Sequence, residues 1–280
     1  MRLVLFFLLS AVAASSVSCS RDQPGAPKVS PPKEEAVVIF RAADGRTLTM
    51  ADLQGLSGPL QYEILYKSDV LPAEAESLHK QARQAGGAGD YKKAIALLER
   101  ASSLAPAWPY PVYDMAFTYL LMKDAEKARK HYRKTVELAP RGFFTAITAL
   151  DALEREANGD LPAGTYLAYV SLEWMDDAVK KADAVRQLIK RVPDFAPTWK
   201  AQAMQADTDA EKLAAIEKGL AANPDGETKG ILLINKALIM ERSGDHEGAV
   251  RLLGELALNP ASTYATEHLA KVTLANITMK

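Results

Sequence analysis

From Leu71 onward the apolar residues fall in helix-length blocks, and small or turn-forming residues close each block. The closures repeat. Leu-Ala-Pro ends at Pro106 and again at Pro140, thirty-four residues later. The stretch Gly89 to Pro106, GDYKKAIALLERASSLAP, lies without a gap over Lys123 to Pro140, KDAEKARKHYRKTVELAP. Asp90 falls on Asp124, Ala94 on Ala128, Leu98 on Tyr132 and Leu104 on Leu138. The pattern predicts pairs of helices joined by a tight turn.

Each matched position has a physical role. Asp90 and Asp124 are suited to cap the second helix of a pair. Ala94 and Ala128 are small where two helices must cross closely. Leu98 and Tyr132, four residues on, lie on the same face and fill the next layer. Pro106 and Pro140 stop the helix, since proline cannot continue it. A helix-turn-helix unit with this period predicts a solenoid.

On these residues the chain resembles the tetratricopeptide repeat (TPR) family. The second unit carries the pattern as Val112, Met115, Ala116 and Tyr119 on its first helix, then Ala128, Tyr132, Thr135 and Pro140 on its second. The first unit departs, with Leu78, Gln81, Ala82 and Ala85, and loses the aromatic position. The match returns in Ala237, Gly244-Asp245, Ala249, Leu253 and Pro260, with Trp199 and Ala203 before it. Closing prolines at 106, 140, 193, 224 and 260 are unevenly spaced, and the step after Pro140 is about half a repeat too long. Residues 143–158 fill it as one inserted helix. The resemblance thus implies an all-α, TPR-like helix-turn-helix solenoid over residues 71–280. Its expected units are about 75–108, 109–142, 162–195, 196–226 and 229–261, with a capping helix over 262–280.

The N-terminal quarter reads differently. AVVIF and RTLTM are short β-like runs around an Asp44-Gly45 turn, so residues 36–70 form a small hairpin-like module. Thr49 to Asp52 resembles a helix start. GPLQYEILYKSDV is open between helix and strand. Before it, Leu3 to Ala14 is an apolar run broken only by Ser10, too short for the roughly 20 residues of a membrane span. Residues 1–18 therefore read as a secretion signal. SVSC resembles a bacterial lipobox, in which the cysteine becomes the lipidated N-terminus. Cys19 is then the lipid attachment site, although Ser16 stands where the family usually has Leu, and a simple cut after Ala13 is the alternative. Residues 19–35, with four prolines between Ser20 and Glu35, form an extended tether. Ser20 resembles an outer-membrane sorting signal, which puts the expected location in the bacterial envelope, on the periplasmic side of the outer membrane.

Composition narrows the chemistry. A net charge of -1 offers no basic field for nucleic acid. With Cys19 the only cysteine, no internal disulfide or cysteine zinc site can form. The locally basic stretch Ala125 to Lys134 reads as the solvated outer face of a helix, or else as a patch for a polyanion. Metalloprotease, phosphate-loop, dinucleotide and nucleophile-elbow motifs are all absent. His79, His131, His246 and His268 have no metal-ligand spacing, and Asp176-Asp177 reads as a helix cap.

What remains is binding. The resemblance implies that first helices line a concave groove for peptides or partner helices. Carried over, the groove is Tyr110, Tyr113, Asp114, Phe117 and Leu121 in the second unit, with Glu76, His79, Lys80 and Arg83 in the first. The alternative is that Tyr110 and Phe117 pack on the inserted helix or on the N-terminal module. Asp114 stands where a carboxylate-clamping member would have asparagine, which disfavours that mode. The expected function is a non-enzymatic adaptor at the cell envelope. It would bind proteins or peptides and hold the membrane through its lipid anchor. No cofactor, metal, nucleic acid or small-molecule substrate is expected. The alternatives are an assembly factor for a pilus, secretin or outer-membrane machine, or a cell-wall enzyme with its site in Gly142 to Pro193.

Overall fold

The computed structural model describes residues 35–41, 46–48, 61–67 and 71–278. The signal segment, Cys19, the tether, the Asp44-Gly45 turn and the helix start at Thr49 lie outside the described residues.

The hairpin-like module is a three-stranded antiparallel sheet in the order β2-β1-β3. β1 (Glu35–Arg41) pairs with β2 (Thr47–Leu48), setting Phe40 against Leu48. On its other edge it pairs with β3 (Gln61–Lys67), from Glu35 against Lys67 to Arg41 against Gln61. The segment left open between helix and strand is therefore a strand. A third strand supplies what a two-stranded hairpin lacks in water.

Helices follow from Ala73 in antiparallel pairs. The first pair is α1 (Ala73–Gly87) with α2 (Tyr91–Leu104). The second is α3 (Pro109–Leu121) with α4 (Ala125–Leu138). The irregular middle holds α5 (Ala146–Asn158), the short α6 (Thr165–Ser171) with a 3-10 turn over Leu172–Trp174, and α7 (Ala178–Arg191). Then come α8 (Ala196–Gln205) with α9 (Asp209–Ala221), α10 (Gly226–Arg242) with α11 (His246–Leu258), and the capping helix α12 (Tyr264–Thr278).

The repeated residues do the same work in each pair. Asp90 and Asp124 accept from the backbone N–H three residues on, at 3.1 Å in both cases. Asp177, Asp225 and Asp245 cap α7, α10 and α11 likewise, and Thr208 forms a capping box with Glu211. Ala94, Ala128 and Ala249 are fully buried at the crossings, with Leu98, Tyr132 and Leu253 buried one turn on. The residues before Pro106, Pro140 and Pro193 share one backbone shape: φ/ψ of -135/74° at Ala105, -135/73° at Ala139 and -138/71° at Val192. Proline excludes its predecessor from the helical region, and this is the shared way out. Asn259 before Pro260 takes -78/117°, and Asn223 before Pro224 takes a positive φ of 50°. The last two prolines therefore stop their helices by different exits. The interhelix turns also coincide, with positive φ at Gly89, Lys123 and Gly244.

The inserted helix is central to the molecule. The largest core cluster runs from Tyr113 through Tyr132, Phe143, Ala149 and Tyr166 to Phe195, and α5 contributes its alanine face, Ala146, Ala149 and Ala152. Phe143 and Phe144 fill the corner before α5, and Phe144 does so at φ 49°, a conformation that costs a bulky residue strain.

The same corner ties the chain across long sequence distance. Arg141 stacks on Tyr264 at 3.8 Å, donates to the Ser262 carbonyl at 3.1 Å and pairs with Glu267. Thr148, in the first turn of α5, donates its N–H and hydroxyl to Glu227 at 3.1 and 2.9 Å, and its hydroxyl also reaches Asp225 at 2.8 Å. The helix that breaks the period thus fastens the second pair to the start of α10 and to the cap.

Candidate functional site

The groove expected from the sequence divides into two groups of residues. His79, Tyr113 and Asp114 are buried. His79, on α1, is 8% exposed and Asp114, on α3, is 9% exposed, with Nε2 and Oδ2 at 2.8 Å. His79 also meets Trp108 and Tyr110 edge-on, at 4.8 and 5.8 Å between ring centres. The pair therefore joins the first two units as a satisfied internal contact. Tyr113 hydrogen-bonds Thr145 at 2.9 Å and packs against Tyr132, Phe143 and Phe144. Burial pushes its phenol well above the ordinary range, so it stays neutral at all working pH values. Tyr110 is half-buried, with its ring edge-on to Phe143 at 4.9 Å and to Phe144 at 5.4 Å. Its position is the packing alternative weighed for it, against the corner that leads into α5.

Arg83, Phe117 and Leu121 keep access to solvent. They line a shallow pocket with Gly86, Gly87 and Thr118, with Asp114 at its base. Its volume is about 30 Å³, room for about one or two waters and not for a metabolite. Phe117 meets Trp174 edge-on at 6.5 Å. Trp174 ends the 3-10 turn after α6 and is 51% exposed. The accessible aromatic strip is therefore Phe117 with Trp174, beside Leu121 and Arg83.

Trp174 escaped the sequence reading because it lies outside the repeat, in LEWMDD. The signal was a lone tryptophan among acidic residues, but only the fold of the irregular middle brings it back over α3. Glu227 was missed too. It is 8% exposed, and burial, reinforced by the charge of Asp225, pushes its carboxyl up to about 8. Its Oε1 has no hydrogen-bond partner, while Oε2 accepts from Thr148. The groups that surround it come from α5, α8 and the start of α10, yet they lie far apart in sequence.

Among the described residues, no group of three or more His, Cys, Asp or Glu is placed to hold a metal ion. Among them too, no helix is long and apolar enough to cross a membrane.

Residues 87–142 match the family model of the tetratricopeptide repeat. This stretch covers the turn and second helix of the first pair and the whole of the second. No curated protein sequence matches the chain. Several solved structures are similar at low identity. A thermophilic TPR protein of Thermus thermophilus is 15% identical, over 74% of this chain and 100% of that one, with a TM-score of 0.32. A tetratricopeptide repeat protein of Parabacteroides merdae is 15% identical, over 74% and 87%, with a TM-score of 0.33. PilW, a widely conserved type IV pilus biogenesis factor, is 14% identical, over 71% and 99%, with a TM-score of 0.31. At these scores the assignment rests on the matched residues and on the repeated caps and crossings. Residues 87–142 are thus matched as tetratricopeptide repeat, and the same capped helical pairing recurs in α10 and α11.

Proposed function

We propose that the chain is a non-enzymatic scaffold at the bacterial cell envelope, which holds a partner protein on the strip formed by Arg83, Phe117, Leu121 and Trp174. One observation carries this reading: Trp174 stays half-exposed against Phe117, beside a pocket too small for a metabolite. Tryptophan and arginine are the side chains that most often anchor protein interfaces. The buried members of the expected groove, His79, Tyr113 and Asp114, serve here as the strip's rigid backing. The envelope location is supported by the signal-like start and by Cys19 behind it.

Two measurements test the proposal. A photo-crosslinking residue at Leu121 should capture a discrete partner in the native cell, whereas the same residue at Leu258, far along the array, should not. Trp174→Ala should cut that capture by about fivefold or more at unchanged helical circular dichroism. Undiminished capture from this variant would remove the strip from the interface. Separately, Cys19→Ser should abolish incorporation of labelled fatty acid and release the protein from membranes. A variant that stays membrane-bound would overturn the lipid anchor.

A further inference from the structure

The joint between the inserted helix and α10 is one proton short if both of its carboxylates are charged. Thr148 Oγ1 lies 2.8 Å from Asp225 Oδ1 and 2.9 Å from Glu227 Oε2. Both are ordinary O–H···O distances. A hydroxyl has a single proton to give. With both carboxylates ionised, one of the two contacts would set lone pair against lone pair. The Glu227 contact fits a hydrogen bond in either direction, and a proton on Glu227 satisfies both contacts at once. Oε2 then donates to Oγ1, and Oγ1 donates to Oδ1.

The surroundings decide which carboxyl keeps the proton. Asp225 Oδ1 also accepts the backbone N–H of Glu227 and of Thr228, at 3.0 and 3.1 Å, as the cap of α10. Those donors favour its ionised form. Glu227 is buried, and its Oε1 has no partner at all. Asp151, three residues on in α5, is also pushed up by burial and by Asp225, and it pairs with Arg155 at 3.6 Å. Lys200 of α8 supplies opposing charge: burial works against its ammonium, but Tyr169, Asp225 and Glu227 hold its pKa above the ordinary value. Burial keeps Tyr113 of α3 and Tyr166 of α6, which also feel Glu227, neutral.

A second tie lies beside this one. Arg141 stacks on Tyr264 and pairs with Glu267, and its carbonyl accepts the Tyr264 N–H at 3.0 Å. At Glu267 burial is outweighed by the bonds from Lys271 and Arg141, which hold its carboxyl below the ordinary range. That tie therefore stays charged and closed near neutral pH, where the bonding of Glu227 depends on one proton.

We propose that Glu227, Thr148 and Asp225 form a proton-operated latch between α5 and α10, shut while Glu227 donates to Thr148 and released when that proton leaves, with Arg141 as the pivot that keeps the cap in place. Once Glu227 is ionised, the one hydroxyl leaves one of two neighbouring anions unserved inside the fold. Parting the first turns of α5 and α10 lets water reach them. The Phe117–Trp174 strip precedes this joint in the chain, so the latch sets how firmly the strip-bearing helices are coupled to the C-terminal ones.

Two measurements on the full chain test the latch. Carbon-13 NMR of protein labelled at the glutamate carboxyl carbons should show one resonance titrating near pH 8. It should be missing from Glu227→Gln and moved down by about one pH unit or more in Asp225→Asn, where the neighbouring charge is gone. Spin labels at Asn158→Cys and Lys229→Cys, both exposed, report the joint in a Cys19→Ser background. Their separation should lengthen by about 2 Å or more between pH 6.5 and pH 9, at unchanged helical circular dichroism. Glu227→Gln should hold the short distance at both pH values. The latch is overturned if no glutamate titrates above about pH 7, or if Asp225→Asn leaves the resonance in place. An unchanged wild-type distance, or a Glu227→Gln protein that lengthens as the wild type does, overturns it as well. So does lengthening accompanied by loss of helical signal, which is unfolding and not release.

Discussion

Between pH 5 and pH 8 the folded chain is expected to lose roughly 4 kcal/mol of stability through one residue, Glu227. In the unfolded chain this carboxyl titrates near 4.5; in the fold it titrates at about 8. Over the window between those values the native state holds a proton that the unfolded state has released. Stability therefore falls as pH rises, starting near 4.5 and ending just above 8, where both states are ionised. The cause is burial first, with the nearby charge of Asp225 second. Two hydrogen bonds from Thr148 and the ammonium of Lys200 oppose it incompletely. Glu227→Gln mimics the protonated form. Urea denaturation at pH 5, 6.5 and 8 should show the two proteins converging at pH 5 and the variant the more stable by a few kcal/mol at pH 8. Parallel curves across the range would mean that Glu227 is ionised in the fold throughout.

The second large effect is expected at Gly230, in the second turn of α10. Glycine inside a helix is ordinarily worth replacing, with a gain of about 1 kcal/mol for alanine. Here the opposite is expected. A Cβ at Gly230 would overlap the Thr266 hydroxyl and lie 2.7 Å from its methyl and 2.8 Å from its Cβ. Thr266 cannot simply swing aside, because it is 3% exposed and hydrogen-bonds Thr263 at 2.9 Å. Gly230→Ala should therefore cost about 2–3 kcal/mol net and loosen α12. Amide exchange over residues 264–278 should rise first, since that helix sits at the end of the array. Adding Thr266→Gly should return part of the loss, and the coupling in that double-mutant cycle measures the contact itself. A stabilised Gly230→Ala would show that α10 and α12 do not meet this closely.

Both effects arise at contacts made across the array, and that separates what could be read beforehand from what could not. Helix starts and stops are local. A cap aspartate needs only the next turn of its own helix, and a proline constrains only its neighbours. Asp90, Asp124, Pro106 and Pro140 therefore announced their elements, and the gapless match between them announced the pair as a repeating unit. The extra helix after Pro140 was legible in the same way, as a length that the period could not absorb. The strand over Gln61–Lys67 was not, because seven residues of mixed apolar pattern suit either structure until a partner edge fixes one.

The candidate site was legible in part. Arg83, Phe117 and Leu121 were expected in a groove through the family resemblance, with packing left open for Phe117, and in the fold Arg83 is exposed and the other two are half-buried. That His79 and Asp114 would meet in the interior was not visible, since they are thirty-five residues apart and each is polar enough to pass for surface. Trp174 lies outside any repeat, and its place beside Phe117 exists only because α6 folds back after the inserted helix.

The sequence by itself determined the helical pairs, their caps, their crossing alanines and the point where the period breaks, because each of these is decided within a turn or two of chain. Only the tertiary structure decided what the break is for. It turns residues 141–148 onto α10 and the capping helix, through Arg141 on Tyr264 and Thr148 on Glu227. It buries a carboxylate that no local pattern marks. Burial and electrostatic field are sums over everything that packs nearby, so they come into being only when distant segments meet.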